Sequence, residues 1–78
     1  VKKIFAEGES ATDIFIIKVG MVDLLKKEEK GKHQINFGVL SEKSILGLED
    51  FLYNNATYSY TALAKTVVKT RSVERSVL

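Results

Sequence analysis

Four consecutive apolar residues, Ile14-Phe15-Ile16-Ile17, lie between glycines at positions 8 and 20, and this quartet constrains the fold more than any other stretch. A surface helix spaces its apolar residues by three and four, and a half-buried strand alternates them; an unbroken, largely β-branched run bounded by turn residues does neither. It reads as a strand covered on both faces. Asp13 to Val19 is therefore predicted to be a central strand. Gly20 offers a tight turn, and Met21-Val22-Asp23-Leu24-Leu25 beyond it is predicted to fold back as an antiparallel partner.

Glycine and short polar runs punctuate the rest of the chain at Glu7-Gly8-Glu9-Ser10, Lys30-Gly31-Lys32, Gly38 and Asn54-Asn55, the spacing of a β-rich domain. Proline is absent, so each turn must be led by glycine, asparagine or a short polar side chain. The charged segment from Lys26 to Lys32 reads as a hairpin tip carrying Gly31. It leads into a strand from His33 to Phe37, where Ile35, Phe37 and Val39 alternate with Gln34, Asn36 and Gly38, the signature of a half-buried face. Leu48 to Leu52 is the best helical turn, with Leu48, Phe51 and Leu52 at i, i+3 and i+4. Phe51 and Leu52 are core candidates, and Glu49 and Asp50 sit where the helix dipole favours acids. Two further strands are predicted, Tyr58 to Ala64 and Val67 to Val73. No segment repeats another at a fixed period, and none is of low complexity.

A chain of 78 residues supports one domain with a thin core, because a domain of this size buries only about 60% of the surface its unfolded chain exposes. Its 45% apolar and 28% charged residues are the balance of a globular protein rather than a disordered tail. The absence of cysteine removes disulfides, thiolate metal sites and cysteine nucleophiles, and favours a reducing compartment. No apolar stretch reaches the length of a membrane span, and the first residues show no signal-peptide core, so the chain reads as cytoplasmic. The net charge of +2 arises beyond residue 50, where Lys65, Lys69, Arg71 and Arg75 meet only Glu74. Without a dense basic stripe these read as a solvated strand edge rather than a nucleic-acid surface. His33 is the only histidine and reads as a surface residue, which leaves no histidine metal cluster. No serine occupies a Gly-x-Ser-x-Gly elbow, so no hydrolase triad is indicated. The chain reads as non-enzymatic.

From Ile4 to Gly20 the chain closely resembles the first signature of cyclic-nucleotide-binding domains: a Gly-acid pair at Gly8-Glu9, a small residue at Ala11, four apolar residues at Ile14 to Ile17, and a glycine at Gly20. Phe5 is the one departure, standing where a smaller aliphatic residue is usual. The resemblance implies a mainly β fold, a jelly-roll-like β-roll or double-stranded β-helix of the cupin-like barrel type with short helical insertions. It also implies C-terminal helices that cap the ligand and relay its presence. Val73 to Leu78 is expected to begin that relay, and residues 1–78 are expected to form a single domain, incomplete at its C-terminus.

The family's second signature, the phosphate-binding cassette, corresponds to Leu46 through Ala62. In that register Leu48 stands where the family has a ribose-binding glutamate, and Tyr58 where it has a phosphate-binding arginine; no arginine occurs before Arg71. A guanidinium grips a cyclic phosphate through two charge-assisted bonds, whereas a tyrosine hydroxyl offers one neutral bond of roughly half the strength. Glu49 follows the expected glutamate by one residue and is the candidate for a ribose hydroxyl. The cassette positions Gly47, Leu48, Glu49, Tyr58, Ser59 and Tyr60 are thus the candidate ligand-binding residues. The implied ligand is a cyclic nucleotide, cAMP or cGMP, or another small anion, with no cofactor or metal. Two uses of the fold compete, a regulatory sensor with weak, altered or lost nucleotide binding and a degenerate scaffold for protein interaction or homodimerisation. A catabolite-activator-like transcription regulator is a third reading, in which nucleic acid is touched only through a domain outside this chain.

Overall fold

The computed structural model describes residues 2–30 and 33–77. Gly31, expected at a hairpin tip, and Leu78, expected to end the C-terminal turn, lie outside them. In chain order the elements are β1 (Lys3–Phe5), β2 (Asp13–Val19), β3 (Val22–Lys27), β4 (Gln34–Leu40), β5 (Ile45–Leu46), α1 (Leu48–Leu52), β6 (Thr61–Ala64), β7 (Lys69–Glu74) and a terminal 3-10 turn, Arg75–Val77. They build two antiparallel sheets, one ordered β1-β6-β3-β4 and the other β5-β2-β7. The mainly β roll with a short helical insertion is as expected; its two sheets stay open rather than joining into a closed barrel.

The apolar quartet lies where its composition demands, in the middle strand of the three-stranded sheet. Ile17 belongs to the central core and Phe15 packs against it, while Ile14 is buried outside that cluster. The core fills the space between the sheets with Phe5, Ile17, Val22, Leu24, Leu46, Tyr58, Tyr60 and Ala62 among its members.

The expected β2–β3 hairpin does not form. Both edges of β2 are taken by β5 and β7, and both edges of β3 by β4 and β6, so the chain leaves one sheet at Gly20 and enters the other at Val22. Gly20 has φ +100, and a Cβ there would stand 2.1 Å from the Val67 carbonyl oxygen. Its N–H donates to Glu42 Oε2 at 2.7 Å, and the Met21 N–H to Thr66 Oγ1 at 3.0 Å. A sheet switch thus replaces the hairpin because distant residues satisfy the amides a hairpin ladder would have used. β3 and β4, which flank the charged excursion, do pair antiparallel, with Lys27 opposite Gln34.

Two burial expectations and one strand bound are corrected. Ile35, Phe37 and Val39 of β4 are exposed rather than half-buried, because β4 is the end strand of its sheet. Leu52 is 66% exposed, and the buried residue of α1 is instead Asp50. Tyr58 to Tyr60 precede β6 rather than forming part of it. Among the described residues no helix is long and apolar enough to cross a membrane.

Gly20→Ala is expected to destabilise the domain by at least about 2 kcal/mol, since it combines left-handed strain with a backbone clash. Gly38→Ala, whose added Cβ meets only Leu24 Cδ1 at 3.6 Å, is expected to stay within about 0.5 kcal/mol. Urea midpoints at unchanged slope report both.

Candidate functional site

The loop between β1 and β2 and the loop between α1 and β6 are laced together. The Gly8 N–H donates to the Tyr58 carbonyl, the Tyr58 N–H to the Glu9 carbonyl and the Ala11 N–H to the Ala56 carbonyl, all within 3.0 Å. Tyr58 then turns inward and stacks on Phe5, with ring centroids 3.8 Å apart and planes 11° apart. These two residues are the departures from the family pattern at Phe5 and in the arginine position, and they meet face to face. The Tyr58 hydroxyl donates to the Asp13 carbonyl at 2.7 Å and accepts from the Asp13 N–H at 3.2 Å. It is therefore engaged by the start of β2.

Tyr60 packs edge-on against Phe5 and Phe37, and its hydroxyl accepts the Gly47 N–H at 2.8 Å. Gly47 precedes α1 with φ +82, where a Cβ would meet Tyr58 Cε1 at 3.2 Å. Only glycine fits both the left-handed backbone and the ring beside it. Burial raises the pKa of both buried phenols, that of Tyr60 to about 12, with the charges of Glu49 and Asp50 adding to the effect there.

Asp50 organises the loop that follows α1. It is fully buried, and its carboxylate accepts from Asn55 Nδ2 at 2.8 Å, the Ser59 N–H at 3.0 Å and Ser59 Oγ at 3.3 Å. A buried carboxylate persists only when its oxygens are hydrogen-bonded, and here the donors come from the cassette loop itself. Arg75, at the end of β7, holds the same loop from the other side. Its guanidinium donates to the carbonyls of Ala11, Asn55 and Asp50 and to Asn54 Oδ1, and its backbone N–H to the Thr12 carbonyl at 2.8 Å.

Beside these groups lies a cavity of about 250 Å³ lined by Leu24, Lys26, Phe37, Glu49, Ser59 and Tyr60. Of the six positions singled out in the sequence, Glu49, Ser59 and Tyr60 line it, while Gly47, Leu48 and Tyr58 do not. Gly47 and Tyr58 lie behind it as scaffold, and Leu48 is half-buried at the start of α1. Lys26 reaches the cavity from β3, and its Nζ donates to the Ser59 carbonyl at 3.0 Å. Sequence reasoning missed Lys26, Asp50 and Arg75. Lys26 carried no local signal, since it belongs to a charged hairpin arm. The clue to the Phe5–Tyr58 pair was that both residues break the family pattern.

A short helix and its following loop thus border a small, largely apolar cavity on an open two-sheet roll. The family model for the cyclic nucleotide-binding domain matches residues 2–78, and the chain belongs to that family, a regulatory rather than catalytic one. Among curated protein sequences none matches significantly. Solved structures that it resembles include the regulatory subunit of a cAMP-independent protein kinase A from Trypanosoma brucei, as a triple mutant bound to cAMP in the A site. The two are 27% identical with a TM-score of 0.86, over 95% of this chain and 26% of that one. The cAMP-bound EAL enzyme Bd1971 is 25% identical with a TM-score of 0.83, over 96% of this chain and 20% of that one. The Thermus thermophilus catabolite activator protein shares the fold at 20% identity and a TM-score of 0.85, over 96% of this chain and 34% of that one. This chain thus spans a fifth to a third of the length of these proteins.

Asp50→Ala is expected to cost about 2–4 kcal/mol, because the Ser59 and Asn55 donors lose their acceptor within a part-buried loop; chemical denaturation measures it. Arg75→Ala is expected to speed hydrogen exchange at the Ala11 and Tyr58 amides selectively, leaving β3 and β4 protected. For Tyr60, the folded pKa of about 12 lies above the ordinary phenol value of 10.0, so its contribution is complete below pH 10 and is lost as pH rises toward 12. Alkaline denaturation of Tyr60→Phe, compared with the parent, is expected to lack that component.

Proposed function

We propose that this domain is a cytoplasmic regulatory sensor within a longer protein and that it takes a cyclic nucleotide with an altered, weakened grip. The observation that carries this reading is the internal use of the cassette's polar groups. The Ser59 N–H and hydroxyl both serve the Asp50 carboxylate, and the Tyr58 hydroxyl serves Asp13. An incoming cyclic phosphate therefore meets neither a guanidinium at position 58 nor uncommitted donors at Ser59. Glu49, at the cavity wall, is the candidate partner for a ribose hydroxyl.

The trypanosome relative supports the weakened grip. It is the regulatory subunit of a kinase described as cAMP-independent, and the form bound to cAMP carries three substitutions, one of them threonine to arginine. In this chain the register position of the family's phosphate-binding arginine is Tyr58. Any nucleic-acid contact of the whole protein is assigned to an attached domain, as in a catabolite-activator-like regulator.

Titration calorimetry with cAMP and cGMP tests the proposal. Loss of a charge-assisted bidentate contact is expected to leave binding weaker by about a hundredfold or more than a guanidinium-bearing cassette achieves. Sub-micromolar binding overturns the weakened grip. No binding at millimolar ligand replaces it with a second reading, favoured by the exposed Ile35, Phe37 and Val39 on the edge strand β4, in which the domain is a scaffold for protein interaction or homodimerisation. Sedimentation of the domain alone reads out the homodimer.

A further inference from the structure

We infer that Lys26, on β3 and outside the cassette, supplies the anion-binding charge of this site. The inference rests on the nucleotide reading above. Lys26 is the one cation among the residues that line the cavity. Arg75 bonds four acceptors on the far side of the loop and does not line the cavity. The Lys26 ammonium has three donors; one holds the Ser59 carbonyl, which fixes the head group at the cassette wall and leaves two for a ligand.

The other lining groups set the ligand class. Leu24, Phe37 and Tyr60 form an apolar and aromatic wall suited to a base, and Glu49 is an acceptor suited to a hydroxyl. Phe37 is 53% exposed, so its ring is open to stacking. One ammonium and one carboxylate face the same small volume, and Lys26 and Glu49 form no ion pair with each other. Their charges balance, so an anion is held here only where it sits nearer the ammonium than the carboxylate, with the phosphate toward Lys26 and the hydroxyls toward Glu49. An ammonium is a point charge without the planar fork of a guanidinium, which accords with a weaker grip.

The test is NMR-detected titration of the parent domain, Lys26→Gln, Lys26→Arg and Lys27→Gln with cAMP, 5′-AMP and adenosine. Lys27 neighbours Lys26 but does not line the cavity. Expected results are cAMP binding weakened roughly tenfold or more in Lys26→Gln, largely retained in Lys26→Arg and unchanged in Lys27→Gln. Adenosine binding is expected to be equal in all four proteins, and 5′-AMP binding to weaken together with that of cAMP in Lys26→Gln. If Lys26→Gln binds cAMP as the parent does, the Lys26 assignment falls while the sensor reading stands. If Lys26→Gln weakens cAMP and adenosine equally, Lys26 acts only by holding Ser59, and the assignment also falls. If the parent binds none of the three at millimolar concentration, both readings fall together.

Discussion

The contact on which the rest of the structure depends is the stack of Tyr58 on Phe5. It joins β1 to the loop that leads into β6, and its hydroxyl fastens that loop to the first residue of β2 in the opposite sheet. An aromatic pair of this kind adds about 0.5–1.5 kcal/mol beyond its buried area, a large increment for a core this thin. It is also geometrically exclusive. A ring held flat against Phe5, with its oxygen on a backbone carbonyl, cannot swing out to serve a ligand without opening the core.

That exclusivity divides the site into a part that holds the fold and a part that faces solvent. Tyr58 and Arg75 hold the loops in place through bonds to backbone carbonyls, Asp50 by accepting from Asn55 and Ser59, and Gly47 by donating to the Tyr60 hydroxyl. Lys26, Glu49 and Phe37 border the cavity with polar or aromatic surface still exposed. Within the loop, the Ser59 N–H and hydroxyl and the Asn55 amide are all engaged by a carboxylate belonging to the chain, that of Asp50.

Much of the fold was legible in local sequence. The bounds of β2 and α1 followed from a solid apolar run and from an i, i+3, i+4 pattern, both of which report local geometry. Strand pairing did not follow, because the partners of β2 lie some thirty to sixty residues away and a glycine turn between two apolar runs looks alike whether it closes a hairpin or changes sheets. β1 and β5, at three and two residues, are too short to show a period. At the site, Glu49, Ser59 and Tyr60 were found through the family register. Asp50 was not, since an acid in the first turn of a helix reads as a solvated dipole partner, and only the fold reveals that Asn55 and Ser59 close over it. Lys26 was hidden for the opposite reason, a lysine among lysines whose distinction is the position of its strand.

The sheet switch at Gly20 has a mechanical meaning. β2 spans roughly 20 Å, and the chain is fastened at both of its ends, to the Tyr58 hydroxyl at Asp13 and through the Gly20 N–H to the Glu42 carboxylate just past Val19. Such a strut keeps the two sheets from sliding over each other. The side where α1, its loop and the Arg75 turn meet is held differently, by loop-to-loop backbone bonds and side chains rather than by a strand ladder. Two kinds of fastening therefore meet in one small domain, strand ladders along the sheets and a mesh of loop amides and side chains at the corner of α1.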